Sequence, residues 1–428
     1  MARFLYTAFF YLILPLVLLR LFWRASQAPA YRQRIAERFG FFRAPTKTGG
    51  LWVHAVSVGE SIAAAPVIEH FLAHNPDLPV VVTTMTPTGS ERVRAMFGDR
   101  VFHVYAPYDL PDAIARFLNR VQPRVAVIME TEIWPNMVCQ TAARGIPVVL
   151  ANARLSARSA RGYGRLASLS RDVFSRFSQV VAQSAADGAR FVDLGLAESK
   201  LTVSGSIKFD LDIPMQLRDQ AIALRRDWLG TRPVWIAAST HAGEDEILLA
   251  AHRKLLVQYP DALLILVPRH PERFAKVAEL IAGYDLPLER RSTVLTAKVL
   301  TPLVSDTSVV LGDTMGELLL LLGCADIAFV GGSLIEHGGH NSLEPAAWGL
   351  PVVTGSSDFN FAEISAMLMA AGGLEKIEGD AALAELLSAW FADSVRRQRQ
   401  GAAAKQVVDN NRGALQRLLA IIDGYLRA

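Results

Sequence analysis

Leu51-Trp-Val-His-Ala-Val-Ser-Val-Gly-Glu-Ser61 decides the fold. Its first six residues lack helical spacing and read as a strand buried on both faces, and Ser57-Val-Gly-Glu-Ser61 is the turn that opens a helix at the strand's carboxyl end. Outward from it, short Val, Ile and Leu runs recur at residues 80–84, 101–104, 125–129, 148–151 and 179–182, each separated from the next by an amphipathic stretch of helical length. A second set follows at 234–238, 262–267, 308–311, 327–330 and 351–354. That alternation predicts β-α-β units with buried parallel sheets. The turn-rich stretch Ser204-Gly-Ser-Ile-Lys-Phe-Asp-Leu-Asp-Ile-Pro214 suits a hinge between the sets. The expected architecture is therefore α/β, two doubly wound Rossmann-like domains facing a central cleft. The divisions read as an amino-terminal helix at 1–24, domains at 25–208 and 209–400, and a closing segment at 401–428 built on the amphipathic stretch Arg412–Leu426.

The chain has 428 residues, 51% hydrophobic and 20% charged, with 30 Gly and 21 Pro, which excludes a disordered or collagen-like chain. Its 44 Lys and Arg stand against 41 Asp and Glu, a net charge of +3 that is too balanced for a dedicated nucleic-acid binder. Cys139 and Cys324 are far apart and lack metal-ligand spacing, so they read as buried reduced thiols in a cytoplasmic compartment. There is no P-loop, and no GxGxxG followed by an acidic residue, which argues against kinase and dehydrogenase chemistry.

Between Arg3 and Arg20 no residue is charged, and Leu21, Phe22 and Trp23 extend the apolar stretch. A bilayer core takes about 20 residues of helix, so a complete crossing requires Arg20 to snorkel, and a helix lying partly in one leaflet is the rival. Arg20, Arg24, Arg32, Arg34, Arg38 and Arg43 follow, placing the remainder on the cytoplasmic side. The basic run opposes a third reading, a signal peptide cleaved near Ser26-Gln27-Ala28.

Ligands bind at the carboxyl ends of strands in such sheets. Glu60 sits there as a general-base candidate or a first-turn glutamate favoured by the helix dipole, and Val127-Ile-Met-Glu-Thr-Glu132 brings Glu130 and Glu132 to another strand tip. The arginines from Arg154 to Arg176 suit bidentate phosphate recognition or a solvated, membrane-facing surface. Three times in the carboxyl-terminal half a strand runs into a polar Gly-containing loop and a helix start: at Val234–Glu244, Val309–Leu318 and Phe329–Glu344. Free amides at such starts cradle phosphate without a metal. Glu344, three residues after Asn341, reads either as the carboxylate of a capping box or as one gripping ribose hydroxyls. Arg269, in Pro268-Arg-His-Pro271, ends a strand where a nucleotide phosphate can meet it. Glu336-His-Gly-Gly-His340 lacks HExxH spacing, and Asp210-Leu-Asp212 reads as solvated hinge charge.

Leu51–Glu60, Asn152-Ala-Arg-Leu-Ser156, Gly205-Ser-Ile-Lys-Phe-Asp210, Pro268-Arg-His-Pro271, Gly312-Asp-Thr-Met-Gly-Glu-Leu318 and Gly331-Gly-Ser through Gly338-Gly-His-Asn-Ser-Leu-Glu344 together resemble the 3-deoxy-D-manno-octulosonic acid (Kdo) transferases of Gram-negative bacteria. The resemblance runs nearly end to end and includes the amino-terminal helix. It implies the GT-B glycosyltransferase fold and inverting transfer of Kdo from CMP-Kdo to the lipid A precursor, lipid IVA, in lipopolysaccharide inner-core biosynthesis. It also implies no cofactor or metal, no nucleic-acid partner, and a place on the cytoplasmic face of the inner membrane. Carried over residue by residue, it makes Glu60 the general base and Glu130 and Lys208 supports of the transition state. It places the nucleotide at Pro268, Arg269, Met315, Gly316, Glu317, Asn341, Ser342, Leu343 and Glu344, with Ser342 acting through its main-chain amide. Two other readings compete: a GT-B transferase or epimerase that uses a UDP-sugar, and a membrane-tethered binding module without catalysis.

Overall fold

The computed structural model describes residues 1–297, 303–304 and 306–427, so 298–302 and 305 of the expected 209–400 domain and residue 428 of the closing segment lie outside the described residues. Two compact units emerge, one of residues 1–210 with 412–428 and one of 211–411.

The first unit holds a seven-stranded parallel sheet of β1 (Leu51–His54), β2 (Val80–Thr84), β3 (Phe102–Tyr105), β4 (Val125–Met129), β5 (Val148–Ala153), β6 (Gln179–Ala182) and β7 (Leu201–Val203), in the order β3-β2-β1-β4-β5-β6-β7. The second holds β8 (Val234–Thr240), β9 (Leu263–Pro268), β10 (Leu288–Arg290), β11 (Val309–Leu311), β12 (Ile327–Val330), β13 (Val352–Thr354) and β14 (Leu374–Lys376), in the order β10-β11-β9-β8-β12-β13-β14. The central strands β1, β2, β4, β5, β9 and β12 are buried along their whole length, because helices cover both faces; their residues are mostly apolar, with His54, Thr83, Thr84 and Asn152 as the buried polar exceptions towards the strand ends. Strand order reverses between β1 and β4 in one sheet and between β8 and β12 in the other. In a doubly wound fold those two points open the crevice for a ligand.

Strand ends depart from the expected limits for local reasons. The first strand stops at His54 rather than residue 56 because the Val56 N–H turns to the Glu60 carboxylate. Strand β5 runs on to Ala153 through a register shift after Leu150, with Asn152 in the left-handed region at φ 52°. Its counterpart β8 reaches Thr240 the same way, through Ser239 at φ 61°.

The stretch expected as one closing segment, 401–428, is divided. Residues up to 410 finish the helix Ser394–Asn410 of the second unit, whereas helix Ala414–Arg427 buries Ala414, Leu418 and Ile422 with Val67, Ile68 and Phe71 in the first unit's core. Asp210 holds its start by accepting N–H bonds from Gly413 at 2.6 Å and Leu415 at 2.7 Å, so this carboxylate is structural rather than merely solvated.

At the amino terminus, the helix Ala2–Gln27 is long and apolar enough to cross a membrane by length and composition.

Candidate functional site

In the first unit the chemistry collects where β1 meets β4. Helix Val58–His74 starts with Ser57 as N-cap, whose hydroxyl oxygen accepts the Glu60 N–H at 3.3 Å. The Glu60 carboxylate turns back to accept the Val56 N–H at 2.8 Å and the Ser57 hydroxyl at 2.7 Å. That arrangement is a capping box displaced by one residue. It fixes the carboxylate's position without supplying a counter-ion. The group is only 8% exposed, and burial pushes its pKa up to about 7. Its two hydrogen bonds pull the other way, and Glu132 and Glu130 nearby raise it further. Burial therefore outweighs both hydrogen bonds, and the Glu60 carboxyl exchanges its proton near neutrality.

Glu130 follows β4 directly, at φ 54°, and its N–H bonds the Ala151 carbonyl of β5 at 2.9 Å. Glu132 accepts the Trp134 indole N–H at 3.0 Å, and burial raises its pKa. Next to this pair, the buried Asn152 accepts the Ile207 N–H at 3.2 Å and so ties the short turn Ile207–Phe209, which carries Lys208, to the end of β5. Thus Glu60 and Glu130 follow adjacent strands at the switch point, while Lys208 is placed through Asn152. Glu132, assigned no role by the family resemblance, belongs to the same carboxylate group.

In the second unit the organising residue is Glu244. Fully buried, it accepts N–H bonds from His241 at 3.0 Å, Gly332 at 2.7 Å, Ser333 at 2.9 Å and Leu334 at 3.0 Å. The amides of residues 332–334, directly after β12, are thus already engaged by a carboxylate of this chain and are not free for a ligand anion. Arg269 follows β9 and is exposed, its N–H bonded to the Thr240 carbonyl at 3.0 Å, and its charge lowers the pKa that burial raises at Glu344. His241 and His340 meet Nε2 to Nε2 at 2.7 Å, and burial depresses both to about 4, so they stand neutral as donor and acceptor.

Around Glu344 the structure separates the two readings of the sequence. The Asn341 side-chain amide donates to Glu344 Oε1 at 3.2 Å while its own oxygen accepts the Leu343 N–H at 3.1 Å. This is an Asx turn with a side-chain pair and not a capping box. Ser342 and Leu343 are buried beside it. Met315 and Gly316 are exposed after β11, Gly316 in the left-handed region at φ 84°. Glu317 is bound by Arg291 at 2.8 Å and by the Thr314 hydroxyl at 2.5 Å, and these partners hold its pKa low. Pro268 ends β9 and is buried. Arg269, Glu344 and the histidines form one group, while 315–317 follow β11, the strand beside β9.

Gly331 is needed for close approach at this point: a Cβ there would lie 2.5 Å from the Ser239 carbonyl oxygen, main chain that has no room to yield. Gly331→Ala is expected to destabilise the second unit by about 1–3 kcal/mol. Thermal denaturation checks this, and an unchanged midpoint would show that β8 and β12 separate freely.

Among the described residues no group of three or more His, Cys, Asp or Glu is arranged to hold a metal ion.

Residues 33–211 match the family model described as 3-deoxy-D-manno-octulosonic-acid transferase (kdotransferase), and residues 231–407 match that of glycosyl transferases group 1. The chain is 47% identical over 429 residues to the 3-deoxy-D-manno-octulosonic acid transferase of Haemophilus influenzae, covering 100% of this chain and 99% of that one. It is 35% identical to the enzyme of the same name from Bordetella pertussis, over 100% of both. Among solved structures it is similar to a glycosyltransferase from Rickettsia africae, with TM-score 0.54, 16% identity and coverage of 89% of this chain and 99% of that one. This last likeness is one of fold, the GT-B arrangement of two parallel α/β units.

Proposed function

The chain belongs to the 3-deoxy-D-manno-octulosonic acid transferase family and is a glycosyltransferase, and from that premise we propose that it transfers Kdo from CMP-Kdo to the phosphorylated lipid A precursor, with inversion, on the cytoplasmic face of the inner membrane. The observation that carries the reading is the placement of Glu60: buried, raised to about 7 and grouped with Glu130 and Glu132 at the switch point of the first sheet. A carboxylate in that state accepts the proton of a sugar hydroxyl as the hydroxyl oxygen attacks the anomeric carbon of Kdo and the bond to the CMP phosphate breaks. Glu130 and Lys208 support the charge that develops. In the second unit Pro268, Arg269, Met315, Gly316, Glu317, Asn341, Ser342, Leu343 and Glu344 hold the nucleotide, Glu344 through hydroxyl groups and Arg269 through the phosphate. Departing CMP carries less charge than a nucleoside diphosphate, so a guanidinium and neutral donors suffice without a metal. One well-placed donor contributes about 3–4 kcal/mol in such a transition state.

Incubation with CMP-Kdo and a lipid A precursor, with mass spectrometry counting the sugars added, tests the reaction. CMP is expected to protect the protein against heat and UDP is not. Protection by UDP alone, with no Kdo added, would move the chain to the UDP-sugar class.

A further inference from the structure

We propose that the helix Ala2–Gln27 does not cross the bilayer but lies along one anionic leaflet, docked on its own domain by one face and immersed in lipid by the other. The inference rests on the membrane association proposed above and not on the reaction.

Two stripes run along this helix. On the docked side, the Tyr6 hydroxyl donates to the buried Asp109 at 2.9 Å, Thr7 to Asn136 at 3.1 Å and Tyr11 to Asp112 at 2.5 Å. Arg3 reaches Asp172 at 3.9 Å. Phe10, Leu14, Val17 and Leu18 pack on Tyr108, Leu110 and Ala113, and Leu21 and Ala25 are buried in turn. On the other side Leu5, Phe9, Leu12, Leu16, Leu19 and Trp23 recur at alternating spacings of four and three, and each is 58–76% exposed. At 1.5 Å per residue that stripe is about 27 Å long. An exposed apolar strip of this size on a docked helix is a seat for something apolar.

Its flanks say what that partner is. Arg20 and Arg24 are exposed beside the carboxyl-terminal end of the stripe. With Arg38 they line a recess of about 250 Å³, and the Arg38 side chain is 2% exposed with its Nε lacking a hydrogen-bond partner. Near the other end, Ala2 and Tyr6 join the same core cluster as Ala160 and Tyr163 of helix Ala157–Gly164, whose surroundings expose Arg154, Arg158, Arg161 and Arg165. A long apolar stripe with guanidinium groups at both ends matches acyl chains below and phosphate headgroups above.

Crossing fails on the same observations. A spanning helix would carry Tyr6, Thr7 and Tyr11 into hydrocarbon, and with them Asp109, Asn136 and Asp112, or else tear these contacts apart and leave Asp109 without its hydroxyl donor. The in-plane pose keeps every contact and buries only the apolar stripe, to the usual depth of about 5–10 Å.

Two measurements on the full chain test this. Ala2→Cys and Lys47→Cys are each expressed and treated with a membrane-impermeant thiol reagent, first on intact spheroplasts and then on opened membranes; the native Cys139 and Cys324 are buried. The in-plane pose predicts no labelling of either cysteine from outside and labelling of both once the membrane is opened. Labelling of residue 2 but not residue 47 from outside shows a spanning helix and overturns the proposal. Labelling of both from outside overturns the cytoplasmic orientation and the proposal with it. Separately, a variant carrying Leu12→Glu, Leu16→Glu and Leu19→Glu is expected to move from the membrane to the soluble fraction with an unchanged thermal midpoint. Retention on the membrane would show that this stripe is not the seat.

Discussion

Glu60→Gln is expected to lower the rate of Kdo transfer by about 10²–10⁴-fold while CMP still protects the protein against heat. The glutamine keeps the side chain's length and an oxygen for the Val56 N–H, so the start of helix Val58–His74 survives and only the proton acceptor is lost. The pH profile sharpens the test. With Glu60 at about 7, wild-type turnover should rise through neutrality as the carboxyl ionises, and the glutamine variant should lack that limb. Stability moves the opposite way. Because the native pKa is raised above the ordinary 4.5, the folded chain binds more protons than the unfolded one between those values. The contribution of this group is present below about pH 4.5 and is lost as pH rises through about 7, a change of up to about 3 kcal/mol. Thermal denaturation at pH 5 and pH 8 should therefore show the variant gaining on the wild type at the higher pH. Full activity in the variant would transfer the role of base to Glu130 or Glu132.

That the placement of Glu60 was legible in the sequence while its pKa was not has a physical reason. Its position follows from the strand-turn-helix pattern, which is local, whereas its proton affinity depends on burial and on Glu130 and Glu132, which only the fold supplies. The sheets divide in the same way. Strands buried on both faces announce themselves as apolar runs, but β7, β10 and β14 went unpredicted; each has three residues, lies at the edge of its sheet and keeps polar or half-exposed positions. Edge strands are defined by a neighbour's free hydrogen-bonding groups more than by their own side chains. The closing segment shows a further limit: the amphipathic pattern of Arg412–Leu426 marks its helix, but that residues up to 410 belong to the other unit follows from tertiary contacts, among them those of Asp210, some two hundred residues earlier in the chain, with the helix start. At the second site, Asn341 and Glu344 are close in sequence, and their spacing allowed a capping box as one of two readings, whereas the structure pairs them beside an Asx turn. His241 and His340 are 99 residues apart, and no spacing rule connects them.

The same argument makes Glu244 a residue whose loss the fold should feel strongly. Read locally, it is one more acidic residue before helix Asp245–Leu256, worth a few tenths to 1 kcal/mol near a helix start. In the structure it satisfies N–H groups of His241, Gly332, Ser333 and Leu334, three of them about 90 residues away. Glu244→Ala leaves those donors without an acceptor at the switch point of the second sheet. Each unsatisfied buried amide costs about 1–3 kcal/mol, and even with water entering the gap the net loss should be at least about 3 kcal/mol. Glu244→Gln should rescue little. Oε2 receives His241 and Gly332 while Oε1 receives Ser333 and Leu334, so either orientation of the carboxamide sets its NH₂ group against two N–H donors. Because the loop at 331–334 leads into Asn341 and Glu344, CMP protection should disappear along with the stability. Glu344→Gln, which disturbs one side-chain pair, should weaken nucleotide binding at a nearly unchanged midpoint. Denaturation curves with and without CMP distinguish the two residues: a Glu244→Gln protein as stable as the parent would mean that the loop holds itself, and that this carboxylate is a bystander.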